Sequence, residues 1–528
     1  MNTVSKMKRA IQLTNVRRCS FSAYIGRPSS AKSHSLAAQY EEQNFINGMR
    51  CIPENYETCK VEDNINPATG QVIGQFYNSD EQEVEKAIKN AKDAFESWSQ
   101  STASDRSQFL RRAGRIISQR VHEIAKLETL DSGKTIAEST FDVEAVVEAC
   151  NFFSSQCYNL LGQQIPVHNG VHAYTRREPL GVCAGIGAWN FPINNIAWKA
   201  LPALACGNTF VYKPSPLAPL TSTVFAEILS EGGLPPGCLN VIQGGAEVGE
   251  TFCSHKDIAK VSFTGSIETG SKVMAACAPH IKPVTLELGG KSPLIIFEDA
   301  DIENAVEGAL MANYITQGEV CSNGARVFVH ESIFDEFVEK VVAATAKLRI
   351  GDTMDGRAHI GALISKDHLN KVTGFIERAV DEGARILYGG APPDFGKSPN
   401  AGGYYLTPCI MDNCNDSMEI IREEHFGPIM CVLKFSTEEE VLQRANDTPS
   451  GLAGGVFTRD ISRAHRMIAK LKAGSCCINT YNMFPILMPF GGFKKSGIGR
   501  ENGTAVLDHY SQIKSVYVEL NDVETIFT

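Results

Sequence analysis

The sequence predicts an α/β protein with a doubly wound, mostly parallel sheet and a second α/β region behind it. The chain has 528 residues, 43% of them hydrophobic, which is enough to bury the cores of two or three domains. Between residues 182 and 279, short apolar runs alternate with helical patterns, as in a parallel sheet covered by helices. The longest apolar runs, such as Val182–Ala188 and Pro293–Phe297, fall far short of the about 20 residues that cross a bilayer. A membrane-embedded protein is therefore excluded.

The first 40 residues differ in charge from the rest of the chain. They contain no Asp or Glu but seven Lys and Arg, whereas the whole chain has a net charge of −10. An acid-free segment rich in Arg and Ser, with Met7, Ala10 and Ile11 spaced for one helical face, is typical of a mitochondrial transit peptide. We predict a presequence over residues 1–38 and a mature protein in the mitochondrial matrix. The alternative is a disordered basic tail on a cytoplasmic protein.

Charge and cysteine spacing exclude two further classes of function. Beyond residue 40 the chain is acidic and lacks the clustered Lys and Arg that bind phosphates, so we expect no nucleic-acid partner. The 16 cysteines are scattered without CxxC pairs, so we expect reduced thiols and no metal site. The adjacent Cys476 and Cys477, and Cys409 with Cys414, are interpreted as buried small residues.

The order of elements follows from hydrophobic periodicity. Asp80 is a predicted N-cap, and the pattern from there to about Gln156 is helical and amphipathic. The predicted strands that follow are Val182–Ala188, Thr209–Tyr212, Leu239–Gln243 and Ala259–Phe263. The predicted helices between and after them are Ile193–Ala205, Leu220–Glu231, Glu247–His255 and Thr269–Pro279. Nucleotides bind at the carboxyl ends of such strands.

A second α/β region is predicted from about Leu288 to Phe490. It mixes short apolar strands with helices such as Ile333–Leu348, and its Gly-rich stretch Gly389–Gly403 is a predicted surface loop. The last apolar segment, Lys514–Leu520, is a predicted strand without a hairpin partner nearby. Such an edge strand pairs elsewhere, in the same chain or on another subunit.

Three polar residues in unusual settings are candidates for chemistry. Cys321 lies among small and polar residues, although a lone cysteine is more often structural than reactive. Glu287 interrupts an apolar strand before two glycines; it is either a general base with a raised pKa or a structural residue paired with Lys291 or capping a helix. Asn190 follows the strand that begins at Val182; its amide either donates to a developing oxyanion or caps a helix.

Several longer motifs occur in one order along the chain. They are Trp189-Asn-Phe-Pro192, Lys213-Pro-Ser215, Phe263-Thr-Gly-Ser266 with Gly270, Leu286-Glu-Leu-Gly-Gly-Lys-Ser-Pro293, Gly318-Glu-Val-Cys321, Glu424-His-Phe-Gly-Pro428 and Pro489-Phe-Gly-Gly-Phe-Lys-Lys-Ser-Gly-Ile-Gly-Arg-Glu501. In sequence and in order they resemble the aldehyde dehydrogenase superfamily, over nearly the whole chain after about residue 45.

The resemblance implies a domain organisation. It places a Rossmann-type NAD domain at residues 40–156 and 178–289 and an α/β catalytic domain at residues 290–495. It also implies a small β oligomerisation arm, formed by residues 157–177 and 510–524, which would make the protein a homodimer or homotetramer.

The resemblance also implies a catalytic mechanism. Cys321 would attack a small-molecule aldehyde, and the Asn190 amide with the Cys321 backbone N–H would hold the oxyanion. Loss of hydride to the nicotinamide would leave a thioester, which water activated by Glu287 would hydrolyse. Glu501 would relay the proton outward.

The same resemblance implies a set of cofactor-binding residues. Lys213 would bind the adenosine ribose, Glu424 the nicotinamide ribose, and Phe426 the nicotinamide ring. The other residues of the predicted NAD site are Trp189, Gly265, Ser266, Gly270 and Leu288. Gly265 and Gly270 open a helix in a spacing that is not GxGxxG but still offers backbone N–H groups to phosphate. Pro216 stands where many NAD-preferring members carry Glu, so NAD is expected with some tolerance of NADP.

The resemblance is closest to the members that oxidise 4-trimethylaminobutyraldehyde, in carnitine synthesis, and betaine aldehyde. Tyr174–Cys183 and Arg500–Gly503 suggest this group. Phe191 and Trp198, seven apart on the predicted helix, would face Phe490 across the substrate tunnel, and aromatic faces attract quaternary ammonium by about 0.5 to 2 kcal/mol each. The alternative is an aromatic tunnel for any aliphatic aldehyde.

Two more distant alternatives remain. A CoA-acylating semialdehyde dehydrogenase shares the nucleophile, but those enzymes generally lack a base at the position of Glu287. An inactive structural protein is the other, and the intact set of Asn190, Lys213, Glu287, Cys321 and Glu424 argues against it.

Overall fold

The computed structural model describes residues 41–42 and 44–527. The predicted presequence, residues 1–38, lies outside these residues. Within them the chain forms two large sheets, two three-stranded sheets and one two-stranded ribbon. The predicted α/β class is confirmed.

The first large sheet has eight strands and carries the predicted nucleotide-binding edge. Its strands, in spatial order, are Gly497–Ile498, Val284–Leu288, Ile258–Gly265, Val182–Ile186, Thr209–Lys213, Leu239–Val241, Asn44–Ile46 and Met49–Cys51. The five strands from Val284–Leu288 to Leu239–Val241 are parallel to one another. The order reverses between Val182–Ile186 and Ile258–Gly265, so a crevice for a ligand opens outside their carboxyl ends.

The second large sheet has seven strands and follows directly in the chain. Its strands, in spatial order, are Arg385–Tyr388, Cys409–Asp412, Ile429–Phe435, Arg326–His330, Pro293–Ile296, Ala453–Phe457 and Ser475–Ile478. All neighbouring pairs are parallel except the first. Only Gly289–Ser292 separate the last long strand of the first sheet from Pro293–Ile296 of the second. The two sheets are therefore joined at Gly289 and Gly290.

The end of the chain forms a small sheet with an earlier segment. Ser511–Glu519 pairs antiparallel with Val171–Pro179 over nine residue pairs, and Gln164–Ile165 adds a third strand. The predicted orphan strand thus pairs far away in sequence but within its own chain. The remaining strands are Glu41–Glu42, Gln71–Tyr77 and Val61–Asn66 in one sheet, and Ser450–Gly451 with Phe493–Lys494 in a ribbon.

Helices cover both large sheets. They are Glu81–Trp98, Ala103–Gln119, Val121–Ser132, Ile136–Gln156, Pro192–Ala205, Leu220–Glu231, Ala246–Ser254, Ile267–Cys277, Ile302–Tyr314, Phe334–Thr345, Lys366–Asp381, Glu419–Arg422, Glu438–Asn446 and Ile461–Lys470. Asp80 caps the first of them, as predicted, by accepting from Glu83 N. The predicted element boundaries agree to within a few residues.

The helix after Asn190 begins one residue later than the aromatic spacing assumes. Phe191 is the N-cap residue, with φ −135° and ψ 66°, and Pro192 is the first helical residue. The placement of Phe191 on this helix is therefore wrong, and its spacing from Trp198 does not by itself put the two rings on one helical face. Pro fits at this first position because its fixed φ suits a helix start and the missing N–H has no partner there.

Apolar side chains pack between the helices and the two large sheets, and the cysteines lie among them. The 15 cysteines in the described part of the chain are free thiols, among them Cys409, Cys414, Cys476 and Cys477. Cys409 and Cys477 are buried, whereas Cys414 and Cys476 are half-buried, so the interpretation of all four as fully buried is only partly right. Residues 41–527 contain no helix with the length and apolarity of a membrane span and no group of His, Cys, Asp and Glu suited to a metal.

Candidate active site

Cys321 lies at the end of a strained kink. Before it, Thr316, Gln317 and Gly318 have φ values of 50°, 43° and 78°, and a left-handed conformation is costly for the first two because they carry side chains. Glu138 stabilises the kink, because its Oε1 accepts from Thr316 N at 2.6 Å. Its Oε2 accepts from Thr135, so the residue that caps the helix Ile136–Gln156 also fixes the chain that leads to Cys321.

Gly318 and Asn190 connect this loop to its surroundings. A Cβ on Gly318 would lie 2.2 Å from Gly427 C, so only glycine permits this close approach. Asn190 Nδ2 donates to Glu319 O at 2.8 Å, and Asn190 is buried. Its amide therefore lies at the Cys321 loop and caps no helix. The helix-cap alternative for Asn190 is wrong.

Glu287 lies beside the Cys321 loop, on the strand Val284–Leu288 of the first sheet. It is buried, and neither carboxyl oxygen has a hydrogen-bond partner among the described residues. Burial and the neighbouring Glu501 raise its pKa well above the ordinary value, against the opposing effect of Lys199 and Arg500. No hydrogen bond joins Glu287 to Lys291, so the structural alternative for this carboxyl is not supported.

Glu287 is close enough to Cys321 to affect the ionisation of its thiol. Burial, together with the carboxylates of Glu424 and Glu287, raises the pKa of the Cys321 thiol. Both groups consequently favour their neutral forms in this environment. If Cys321 is to act as a nucleophile, its thiol must therefore be activated by a change at the site rather than by these surroundings.

Glu501 is held by a buried lysine. Lys199 Nζ donates to Glu501 Oε1 at 2.5 Å and to Thr264 Oγ1 at 2.6 Å, and Ser262 Oγ lies 3.3 Å from the same carboxyl oxygen. The backbones of Glu501 and Phe490 also pair, with N···O distances of 2.7 and 2.8 Å. Glu501 thus lies behind Glu287 in a polar cluster inside the protein.

The glycine pair after Glu287 brings the second sheet region close. A Cβ on Gly289 would lie 2.0 Å from Glu424 Oε2, and one on Gly290 would lie 3.0 Å from Cys321 O. Gly290 N also donates to Glu424 Oε1 at 3.2 Å, and burial raises the pKa of Glu424 to about 7. A cleft lies here, lined by Gly290, Lys291, Gly318, Val320, Asn323, Ala325, Glu424, His425 and Phe426.

Lys213 and the helix Ile267–Cys277 lie at the carboxyl ends of the central strands. Lys213 Nζ donates to Pro214 O at 2.7 Å and to Gly244 O at 3.1 Å, and burial lowers its pKa to about 8. Ser266 caps the helix by accepting from Thr269 N, and Gly265 immediately precedes it. Gly270 leaves room for Leu288, because a Cβ there would lie 2.5 Å from Leu288 Cδ2.

Aromatic residues lie on both sides of these polar groups. Trp198 and Phe490 meet edge to face with ring centroids 5.8 Å apart, and Phe484, which the sequence analysis does not include, lies 5.3 Å from Phe490. The Phe191 ring instead lies 4.6 Å from the buried Lys134 Nζ. On the other side, Trp189 lies 5.3 Å from Phe426.

One crevice thus brings together the Glu287 carboxyl near the end of its strand, the candidate nucleophile Cys321 and the predicted nucleotide-binding edge of the first sheet. Residues 55–516 match the model of the aldehyde dehydrogenase family. The chain belongs to the aldehyde dehydrogenase family. The resemblance read from the sequence motifs is confirmed.

Relatives within the aldehyde dehydrogenase family are close. The chain is 51% identical to 4-trimethylaminobutyraldehyde dehydrogenase of Sus scrofa, over 92% of this chain and 98% of that protein. It is 52% identical to 4-trimethylaminobutyraldehyde dehydrogenase A of Danio rerio, over 92% of this chain and 96% of that protein. A solved structure of betaine aldehyde dehydrogenase from Staphylococcus aureus in complex with NAD+ matches with a TM-score of 0.90 and 37% identity, covering 93% of this chain and 98% of that one.

Two supporting residues of this aldehyde dehydrogenase escape sequence reasoning. Lys199 is the only charged residue of the mostly apolar helix Pro192–Ala205, and a lone lysine in such a helix is the signal that marks it. Glu138 and Thr135 have the spacing of a capping box. This motif accounts for the hydrogen bonds of one Glu138 carboxyl oxygen and gives no sign of a role for the other. Its contact with Thr316 depends on the tertiary fold.

We predict that Glu138 is needed for a reactive Cys321. Glu138→Ala leaves Thr316 N without its acceptor, so the kink relaxes, and we expect alkylation of Cys321 by iodoacetamide and aldehyde oxidation to slow by about tenfold or more. Glu138→Gln keeps an oxygen for Thr316 N and should stay within about threefold of the wild type.

The matched control is Glu144→Ala, an exposed position on the same helix. Rates are measured on proteins whose circular dichroism confirms folding. Equal losses for the Gln and Ala variants would show that the hydrogen bond to Thr316 is not the cause.

Proposed function

We propose that this protein oxidises an aldehyde to a carboxylic acid with NAD, through a thioester on Cys321 that Glu287 helps water to hydrolyse. The observation that carries the proposal is the convergence of Cys321, Glu287 and Glu424 at the Gly289–Gly290 junction. It is supported by membership of the aldehyde dehydrogenase family and by the NAD+ complex of the Staphylococcus aureus relative.

The residues at the crevice fit a dinucleotide. Lys213 Nζ has two carbonyl partners, so the third hydrogen of its ammonium group is left for a ribose hydroxyl. The first N–H groups of the helix after Gly265 and Ser266 suit a pyrophosphate, with Gly270 and Leu288 supporting the helix. Glu424 would hold the second ribose, and Trp189 with Phe426 would contact the nicotinamide ring. When bound, NAD supplies positive charge near the thiol and accepts the hydride of the aldehyde carbon.

Cys321 and Asn190 would carry the first half of the reaction. The thiol proton must pass to solvent before sulfur attacks the carbonyl carbon, and positive charge beside the sulfur would favour that loss. The Asn190 amide, already directed at the Cys321 loop, would donate to the oxyanion together with the Cys321 backbone N–H. One such donor typically contributes about 3 to 4 kcal/mol to the transition state.

Glu287 and Glu501 would carry the second half. Glu287 would remove a proton from the water that attacks the thioester carbonyl, and its raised pKa makes it a stronger base than an exposed Glu. The proton would move to the cluster of Glu501 and Lys199, which already share a hydrogen bond. Hydrolysis by an internal base disfavours transfer of the acyl group to CoA.

We further propose 4-trimethylaminobutyraldehyde as the substrate, with gamma-butyrobetaine, used in carnitine synthesis, as the product. The Sus scrofa and Danio rerio relatives, about half identical over nearly the whole chain, carry that substrate in their names. The rings of Trp198, Phe490 and Phe484 offer faces to a trimethylammonium group. A broad-specificity enzyme for aliphatic aldehydes is the alternative, because the same rings suit an apolar chain.

Domains, assembly and location are part of the proposal. We assign the NAD domain to residues 40–156 and 178–289, the catalytic domain to 290–495 and the arm to 157–177 and 510–524. Exposed Ile513 and Tyr517 on the arm support a homodimer or homotetramer, which light scattering distinguishes. The basic residues 1–38 support a cleaved mitochondrial presequence, which the N-terminus of the mature protein from tissue tests.

The variant Glu287→Gln should carry out the first half of the reaction, which forms NADH, and be slow in the second half, which hydrolyses the thioester. We expect this variant to release a burst of NADH close to one per subunit and then turn over about 10²-fold or more slowly, because it lacks the base. Cys321→Ala should give no burst, and Glu423→Gln, exposed beside the site, should behave as wild type. Since Glu287 acts deprotonated and its pKa is raised, the wild-type rate should fall with decreasing pH from a higher pH than an exposed Glu would allow. Full turnover by Glu287→Gln would contradict the role of the base.

The substrate proposal predicts a preference for quaternary ammonium. We expect kcat/KM for 4-trimethylaminobutyraldehyde to exceed that for hexanal, and Trp198→Leu to reduce this ratio by about 2- to 30-fold through loss of one aromatic face. Phe141→Leu, an exposed aromatic elsewhere, is the control. Equal kcat/KM for the two aldehydes in the wild type would favour the broad-specificity alternative.

Pro216 stands where many NAD-preferring members of the family carry Glu, and it has no charge. Glu247 supplies a negative charge near Lys213 instead. Its carboxylate is close enough to Lys213 to raise the pKa of that lysine, and it opposes a 2′-phosphate at the same ribose. We expect Glu247→Gln to raise kcat/KM with NADP about threefold or more and to leave NAD nearly unchanged. Glu250→Gln, exposed on the same helix, is the control, and an unchanged NADP to NAD ratio would exclude Glu247 as the determinant.

A further inference from the structure

His368 contacts the aromatic side of the crevice from a separate helix. It lies in the first turn of Lys366–Asp381, where its backbone N–H donates to the N-cap Ser365 Oγ at 3.1 Å. Its ring centroid lies 5.2 Å from that of Trp189 and 6.1 Å from that of Phe426. With the Trp189–Phe426 contact, the three rings form a closed group of mutual edge-to-face contacts. None of the motifs in the sequence analysis includes His368.

Phe426 is in a conformation that needs support. Its φ is 55°, in the left-handed region that a bulky residue rarely adopts. Such residues persist only where their surroundings fix them. Phe426 is followed by Gly427, against which Gly318 of the Cys321 loop packs, so its backbone has little room to relax.

His368 supplies the hydrogen bond at this strained residue. Its Nε2 lies 2.8 Å from Phe426 O, and because a carbonyl only accepts, Nε2 carries the proton. Burial lowers the pKa of His368 to about 4, so the ring is neutral at physiological pH. Glu319 Oε1 lies 3.6 Å from the same nitrogen, which brings His368 next to the Cys321 loop as well.

We propose that His368 is a positioning residue for the nicotinamide ring, acting through Phe426. Its Nε2–H holds the Phe426 carbonyl and thereby the left-handed backbone, while its ring packs against Trp189 and Phe426 and fixes both planes. This inference rests on the proposed function, in which Phe426 contacts the nicotinamide. The affinity for a ligand that contains a nicotinamide ring should therefore depend on His368, and the affinity for a ligand without that ring should not.

The test compares NAD+ with ADP-ribose, which lacks the nicotinamide, by isothermal titration calorimetry on the full protein. His368→Phe keeps a ring but no donor, and we expect it to weaken NAD+ by about tenfold and ADP-ribose by less than about twofold. His368→Gln retains an N–H donor and should recover most of the NAD+ affinity. His368→Leu is a second donor-free variant, so the test does not depend on one protein folding, and the exposed His465→Gln is the control.

A double-mutant cycle identifies Phe426 as the intermediary. In a Phe426→Ala background, His368→Phe should weaken NAD+ no further, because the residue it acts through is gone. Equal weakening of NAD+ and ADP-ribose would indicate a general structural defect and overturn the proposal, as would unchanged NAD+ affinity. Failure of the wild type to bind NAD+ at all would instead refute the proposed function.

Discussion

The site depends on the close approach of two strand systems at Gly289 and Gly290. The chain leaves the first sheet at Leu288 and enters the second at Pro293, and the first two residues between them, Gly289 and Gly290, have no side chain to separate the Glu424 carboxyl and the Cys321 loop from the strand end. A methyl group at Gly289 would overlap Glu424, so the geometry admits no other residue without movement. The first large sheet, with its predicted nucleotide-binding edge, and the region that carries the candidate nucleophile Cys321 meet at these two glycines.

Around this junction burial disfavours the charged forms of the ionisable groups. Burial raises the pKa of Glu287 and of Cys321, and it raises that of Glu424 to about 7. A neutral thiol is a poor nucleophile and is also slow to oxidise, so the resting enzyme is protected. Binding of a positively charged ring beside the sulfur would reverse the balance and link reactivity to the presence of the cofactor.

Much of the fold and of the site can be predicted from the sequence, because the relevant signals are local. Alternation of apolar runs and helical patterns identifies the parallel sheet, and Asp80 identifies a helix start. Glu287 is conspicuous because a carboxylate interrupts an apolar strand. Phe191 is misplaced by periodicity alone, because Pro192 starts the helix one residue later and turns that ring toward Lys134. Glu138 and His368 cannot be found this way, since each acts on a strained backbone distant in sequence.

The pairing of Ser511–Glu519 with Val171–Pro179 also has a consequence for biosynthesis. Val171–Pro179 is translated long before its partner strand Ser511–Glu519, because the strands of both large sheets from Val182 onward lie between them in the sequence. A nascent chain therefore presents an unpaired edge at Val171–Pro179 until Ser511–Glu519 has been synthesised, and such edges favour aggregation. This small sheet can therefore form only after the strands of both large sheets have been synthesised.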